Sequence, residues 1–184
     1  MAPEVTASQR RSIRVLPREL AEKIAAGEVI ERPGSVIKEL VENSIDSGAT
    51  RISVELEDGG KKRITIRDNG CGIPDDEVLT ALERHATSKI IELDDLWNLS
   101  TMGFRGEALP SVAAISRFTL QSRAAGAQNK GRLVYLEGGK ILRDEEMQGQ
   151  DFGTTISVED LFYNVPARLR FQRAKSGESA YVRE

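Results

Sequence analysis

Hydrophobic positions change their spacing several times along the chain, and each change marks an element. In "LPRELAEKIAAGEVI" (16–30) Leu20 and Ile24 stand four apart. Pro17 suits a first helical turn and Gly27 a stop, so the segment predicts a helix. "ERPGS" breaks it, Ser35 is a candidate N-cap, and a second helix runs on to Gly48. At about 100° per residue, Val36, Ile37, Leu40, Val41 and Ile45 fall on one half of that second helix. Glu39, Glu42, Asn43 and Asp46 crowd the other half with no Lys or Arg among them. Glu39 meets Glu42, and Glu42 meets Asp46, at roughly a few tenths of a kcal/mol of repulsion per pair. A mid-helix Asn is a poor helix former besides. Such a face needs a cause.

Beyond Gly48 the period becomes two. "RISVEL" (51–56) alternates Ile52, Val54 and Leu56; "DGGKK" turns the chain; "RITIRD" (63–68) alternates Ile64, Ile66 and Asp68. A helix is expected from Pro74 to about Ala86. Residues 87–111 are irregular and rich in Gly, Ser and Thr, too long for an ordinary connector and therefore a functional-loop candidate. "SRFTLQSR", "RLVYLEGGKILRDEE" and "GTTISVEDLF" read as strands, and "NVPARLRF" begins a last helix. Within the last two, Leu161, Phe162 and Val165 read as core. Residues 1–12 are polar and read as a loose arm. Helices followed by antiparallel strands predict an α+β layer with helices packed on one sheet face.

The totals narrow the picture further. The chain has 184 residues, 39% hydrophobic and 30% charged, as expected of one soluble domain with a substantial core. Its net charge of −3 gives no electrostatic footprint for nucleic acid, so tight DNA binding is not expected. No run approaches the ~18 apolar residues of a membrane span, and the N-terminus lacks an apolar signal core. A single cysteine, Cys71, excludes a disulfide framework, and a single histidine, His85, argues against zinc. His85 has no identifiable triad partner and reads as structural.

Four constellations could carry chemistry. Glu39 and Asn43, four apart, share one side of the second helix. A carboxylate can take a proton from water, and an amide oxygen is a hard ligand suited to Mg²⁺. An ordinary solvated acidic face fits the same spacing. In "IRDNGCGI" (66–73), alternation turns Asp68 to the core face, where a carboxylate needs a donor such as the adenine amine. Gly70 and Gly72 would let a flat base approach the backbone, although Asp-Asn-Gly is also a common turn. "RHATSKI" (84–90) and "TMGFRGEAL" (101–109) combine a glycine turn (Gly103, Gly106) with the donors of Thr87, Ser88 and Lys89, a possible phosphate cradle. It is no Walker loop, and a plain glycine-rich loop fits it equally. In "GTTISVED" a threonine hydroxyl could complete a base pocket, or simply sit on an edge strand.

The order of these segments resembles that of the GHKL ATP-binding superfamily. "AAGEVIERPGSVIKELVENSIDSGAT", "RHATSKI", "GFRGEAL" and "GTTISVEDLFYNVPARLRF" resemble, almost word for word, the MutL family of bacterial mismatch-repair proteins over residues 13–173. The resemblance implies a Bergerat ATP-binding fold, α+β, with a mixed or antiparallel sheet, helices on one face and a long ATP lid. It implies Glu39 as the general base and Asn43 as the Mg²⁺ ligand. Asp68 would bond the adenine amine, with Gly72 beside the base. Thr87, Ser88, Lys89 and the loop Gly103, Phe104, Arg105 and Gly106 would form the lid on the phosphates. Thr155 would line the adenine pocket. It further implies ATP and Mg²⁺ as cofactors, ATP-gated association of two such domains, mismatch-recognition and downstream repair proteins as partners, and a bacterial cytosolic location. Residues 13–184 would be the ATP-binding domain, ending before a second ribosomal-protein-like domain that supplies a phosphate-binding lysine, so slow hydrolysis by this segment alone is expected. A GHKL chaperone or regulator that uses nucleotide only as a switch is the alternative.

Overall fold

The computed structural model describes residues 12–90, 106–126, 130–149 and 151–171. Two helices come first: α1 (Arg18–Val29) and α2 (Pro33–Asp46). Then come β1 (Ile52–Glu57) and β2 (Arg63–Asp68), α3 (Ala108–Ala114), β3 (Arg117–Arg123), β4 (Lys130–Glu137), β5 (Lys140–Gln148), β6 (Gly153–Glu159) and α4 (Pro166–Phe171). The six strands form one sheet in the order β1-β2-β6-β3-β4-β5, with every neighbouring pair antiparallel. The expected α+β layer is therefore present, in its purely antiparallel form.

Strand alternation decides which face is covered. Ile64 and Ile66, Ile156 and Val158, and Phe118 and Leu120 stand in register across β2, β6 and β3, and all are buried. Val36, Ile37 and Leu40 of α2 and Val112 and Ala113 of α3 complete that core. The opposite face carries Arg63, Arg67, Arg117, Glu159 and Glu137, which pair with one another in part. Burying the apolar face at about 25 cal/mol per Å² is the main drive for this layering. Leu161 and Phe162 are fully buried as expected, and Val165 packs against them. Phe162 sits at φ 69, a left-handed conformation costing roughly 1–2 kcal/mol in a side-chain-bearing residue. Its complete burial, worth a similar amount or more, and its N–H bond to Ile115 O at 2.7 Å offset that cost.

Several sequence expectations shift. Gly27 does not stop α1, which runs on to Val29 and buries Ala26. Leu20 and Ile24, spaced as a helical stripe, are each about half exposed. The N-cap of α2 is Arg32, not Ser35, because Pro33 takes the first helical position, where its fixed φ is already helical and its missing N–H costs nothing. On α2 the buried stripe passes through Ser44 (4% exposed) and leaves Ile45 at 46% exposed. The helix expected over Pro74–Ala86 is a series of turns with a single 3₁₀ turn at Thr80–Leu82. A continuous helix would offer Asp75 O to the Leu79 N–H; here Arg132 donates to that carbonyl at 2.9 Å. The same guanidinium clasps Asp144 through two bonds of 2.7 Å, holding that carboxyl below the usual range. Arg132 thus pins the segment after "DNGCGI" to β4.

Candidate functional site

The second helix and the ends of β2, β3 and β6 meet at one edge of the core. Asp68 closes β2 on the face that Ile64 and Ile66 share, as alternation predicted. Its Oδ2 accepts from Ser44 Oγ at 2.8 Å and its Oδ1 from the Gly70 N–H at 2.9 Å. Ser44 Oγ also lies 3.1 Å from Leu40 O, so its one proton is shared between two acceptors. Each carboxylate oxygen has two lone-pair directions, so both keep acceptor capacity beyond these bonds. The carboxylate is held in a fixed plane and can still take a donor from a ligand.

Glu39, Asn43 and Asp46 form one stripe of α2, a turn apart and adjacent to Ser44. Glu39 is half-buried and has no hydrogen-bond or ion-pair partner among the described residues. Glu42 is paired instead with Lys38, one turn back, at 3.6 Å. Cations therefore do meet this face. The more buried of the two comes from the loop: Lys89 Nζ donates to Asn43 Oδ1 at 3.0 Å and to Asp46 Oδ2 at 2.6 Å. Thr87 Oγ1 accepts from the Lys89 N–H at 3.1 Å and shapes that loop, while Ser88 is exposed. The oxygens of Asn43 and Asp46 already hold a cation, so the donor set fits a hard metal ion such as Mg²⁺.

The register separates the two threonines of "GTT". Register pairs Asp68 with Thr154 and Arg67 with Thr155. Thr154 therefore shares the face of Ile156 and Asp68, while Thr155 points to the opposite face. Thr154 Oγ1 lies 2.9 Å from Ser122 Oγ, which accepts from the Ile73 N–H at 2.9 Å and sits 3.2 Å from Gly153 O. This buried hydroxyl joins β3, β6 and the loop after Asp68. Sequence reading named Thr154 and Thr155 together but missed Ser44 and Ser122, although the parity of Phe118 and Leu120 marks Ser122.

The glycines of "DNGCGI" answer to the protein itself. A Cβ on Gly70 would stand 1.8 Å from Ser47 Oγ. Gly72 has φ +70, and a Cβ there would stand 2.0 Å from Arg123 O, a backbone atom that cannot swing aside. Gly72→Ala is accordingly expected to cost about 3 kcal/mol or more and to displace the Asp68 loop. Urea denaturation against wild type checks this. Gly106 (φ +62) likewise abuts the Ala86 backbone, and its carbonyl accepts from the His85 N–H at 3.2 Å. The His85 side chain is 78% exposed, with Nδ1 3.3 Å from Glu107 Oε1. Gly103, Phe104 and Arg105 lie outside the described residues.

Among the described residues no helix is long and apolar enough to cross a membrane. In sequence, the chain is 53% identical over 170 residues to the DNA mismatch repair protein MutL of Geotalea daltonii and 54% identical over 173 residues to that of Xanthomonas oryzae pv. oryzae. These matches span 92% and 94% of this chain but only 28% and 27% of those proteins. In structure, it resembles the Aquifex aeolicus MutL ATPase domain complexed with ADP, with a TM-score of 0.67 and 34% identity over 84% of this chain and 52% of that one. The family model for histidine kinase-, DNA gyrase B- and HSP90-like ATPases matches residues 31–148. That span runs from the start of α2 through β5 and takes in Glu39, Asn43, Asp68 and Lys89, so the chain belongs to the histidine kinase-, DNA gyrase B- and HSP90-like ATPase family.

Proposed function

We propose that this chain is the ATP-binding and hydrolysing domain of a MutL-like mismatch-repair protein. The observation that carries the reading is the Ser44–Asp68 bond, which joins α2, beside its metal-competent stripe, to the carboxylate that ends β2. Asp68 accepts the adenine amine, and Thr154 and Ser122 close the polar end of that pocket on the same face. Gly72 shapes the loop beside the base. Asn43, with Asp46 next to it, would hold Mg²⁺, which when bound neutralises phosphate charge and orients the leaving diphosphate. Thr87, Ser88, Lys89 and Gly106, and by the resemblance Gly103, Phe104 and Arg105 outside the described residues, are assigned to the lid over the phosphates.

Glu39 is the base. Water oxygen attacks the γ-phosphorus, the bond to the bridging β–γ oxygen breaks, and the water proton passes to the Glu39 carboxylate. ADP leaves with the bond's electron pair. General-base assistance of this kind contributes roughly 10²–10⁴-fold. In the whole protein, nucleotide binding would order the lid and join two such domains, coupling mismatch recognition to later repair factors. The match to MutL proteins over nearly all of this chain favours that role over a nucleotide-switched chaperone or regulator.

Base selectivity tests the pocket. Asp68 is an acceptor, adenine presents an amine there, and guanine presents a carbonyl oxygen. Calorimetric titration in Mg²⁺ is expected to show ATP binding at least about 100-fold tighter than GTP, because guanine sets its carbonyl oxygen against a part-buried carboxylate, acceptor against acceptor. Equal affinity would refute the adenine-pocket assignment.

A further inference from the structure

Lys89 reaches α2 across 43 residues of sequence to Asp46 and 46 to Asn43. The contact is substantially withdrawn from water: the Asp46 side chain is 8% exposed and that of Lys89 is 20%. An ion pair so placed is screened little by salt, and removing either partner leaves the other poorly compensated. Asn43 gives its amide oxygen to the same ammonium. An ammonium and Mg²⁺ both seek hard oxygens, but Mg²⁺ needs contacts of about 2.1 Å in an octahedral shell. An ammonium 3.0 Å from Asn43 Oδ1 occupies the space that shell requires. The two cations exclude each other.

We infer that Asn43 and Asp46 together form a cation site whose resident in the nucleotide-free protein is the Lys89 ammonium, and that metal–nucleotide enters by exchanging places with it. The inference rests on the assignment of Asn43 to the metal and adds Asp46 and the exchange. It gives the acidic stripe of α2 its missing counter-charge in the absence of ligand. The site is never left as two bare oxygens, because one cation leaves as the other arrives. The displaced ammonium is then available to the phosphates that accompany the metal. Loop 84–90 moves with Lys89, since Thr87 Oγ1 holds the Lys89 N–H and His85 N–H holds Gly106 O. Metal loading and loop position are thereby one event.

Two measurements without nucleotide test the exchange, so their failure is distinct from failure of the ATP reading, which the ATP/GTP titration decides. Free Mn²⁺, counted by its electron-paramagnetic-resonance signal, is titrated onto wild type, Lys89→Met and Lys89→Met/Asp46→Asn. Removing a resident competitor raises apparent affinity by the inverse of the fraction of sites it left open, so a latch closed about nine-tenths of the time makes Lys89→Met gain about tenfold. The double variant is expected to lose that gain. Amine acylation followed by peptide mass spectrometry reads the latch from the other side. Lys89 is expected to react several-fold faster in Asp46→Asn than in wild type, with Lys38 and Lys62, 64% and 67% exposed, as internal standards. Equal Mn²⁺ affinity in wild type and Lys89→Met, or unchanged Lys89 acylation, overturns the inference. Lys89 lies on a loop, so Lys89→Met remains decisive even if Asp46→Asn fails to fold.

Discussion

Asp68→Ala is expected to abolish measurable ATP binding while leaving the chain folded. Asp68 supplies a carboxylate at the end of β2 with both oxygens already oriented, by Ser44 Oγ and by the Gly70 N–H. A hydrogen bond to a charged acceptor contributes about 1.5–3 kcal/mol. Its loss also leaves the Gly70 N–H and the Ser44 hydroxyl without their shared acceptor, which loosens the pocket the base must enter. Together these amount to a loss of roughly 100-fold or more, since 1.4 kcal/mol is a factor of ten. The folding cost is smaller, about 1–2 kcal/mol, because Asp68 is only partly buried and Ser44 retains Leu40 O. Asp68→Asn sharpens the test. It keeps the shape, but an amide NH₂ now faces either Ser44 or the adenine amine, so binding should fall nearly as far. Calorimetry with a thermal melt separates the two effects. ATP affinity equal to wild type in Asp68→Ala would remove Asp68 from the pocket.

Glu39→Ala should do the opposite: binding persists and turnover is lost. Glu39 has no partner among the described residues, so its removal orphans nothing and barely changes stability. Hydrolysis, measured on this chain or on a longer protein carrying it, should fall by roughly 10²–10⁴-fold with little change in KM. Glu39→Gln should behave alike, because it preserves size and hydrogen bonding but cannot take the proton. A parallel loss of affinity and turnover would instead make Glu39 a ligand to the nucleotide complex.

Much of this was legible in the sequence, and the misses have physical causes. Period-two alternation placed β1, β2, β3 and β6, and it turned Asp68 inward correctly, because a pleat leaves no freedom about which face a side chain takes. The same rule applied to Ile156 and Val158 puts Thr154, and not Thr155, on the face of Asp68. Ser44 escaped notice because hydrophobic patterning counts apolar residues, and the buried stripe of α2 continues through a hydroxyl rather than through Ile45. The Pro74–Ala86 segment has helical composition, yet a tertiary bond from Arg132 to Asp75 O competes with the helix, which no local pattern can show. The glycines of "DNGCGI" read as room for a base. They are demanded first by Ser47 and by the Arg123 backbone, contacts from 23 and 51 residues away. The like-charged face of α2 looked uncompensated because its cation, Lys89, comes from a distant loop.

The most direct test of the account is a crystal structure of this chain with Mg²⁺ and a non-hydrolysable ATP analogue. The account predicts the adenine amine about 3 Å from an Asp68 carboxylate oxygen, the metal about 2.1 Å from Asn43 Oδ1, and Lys89 Nζ withdrawn from Asn43 and Asp46. A nucleotide bound elsewhere, or an adenine that leaves Asp68 bonded only to Ser44 and Gly70, would contradict it.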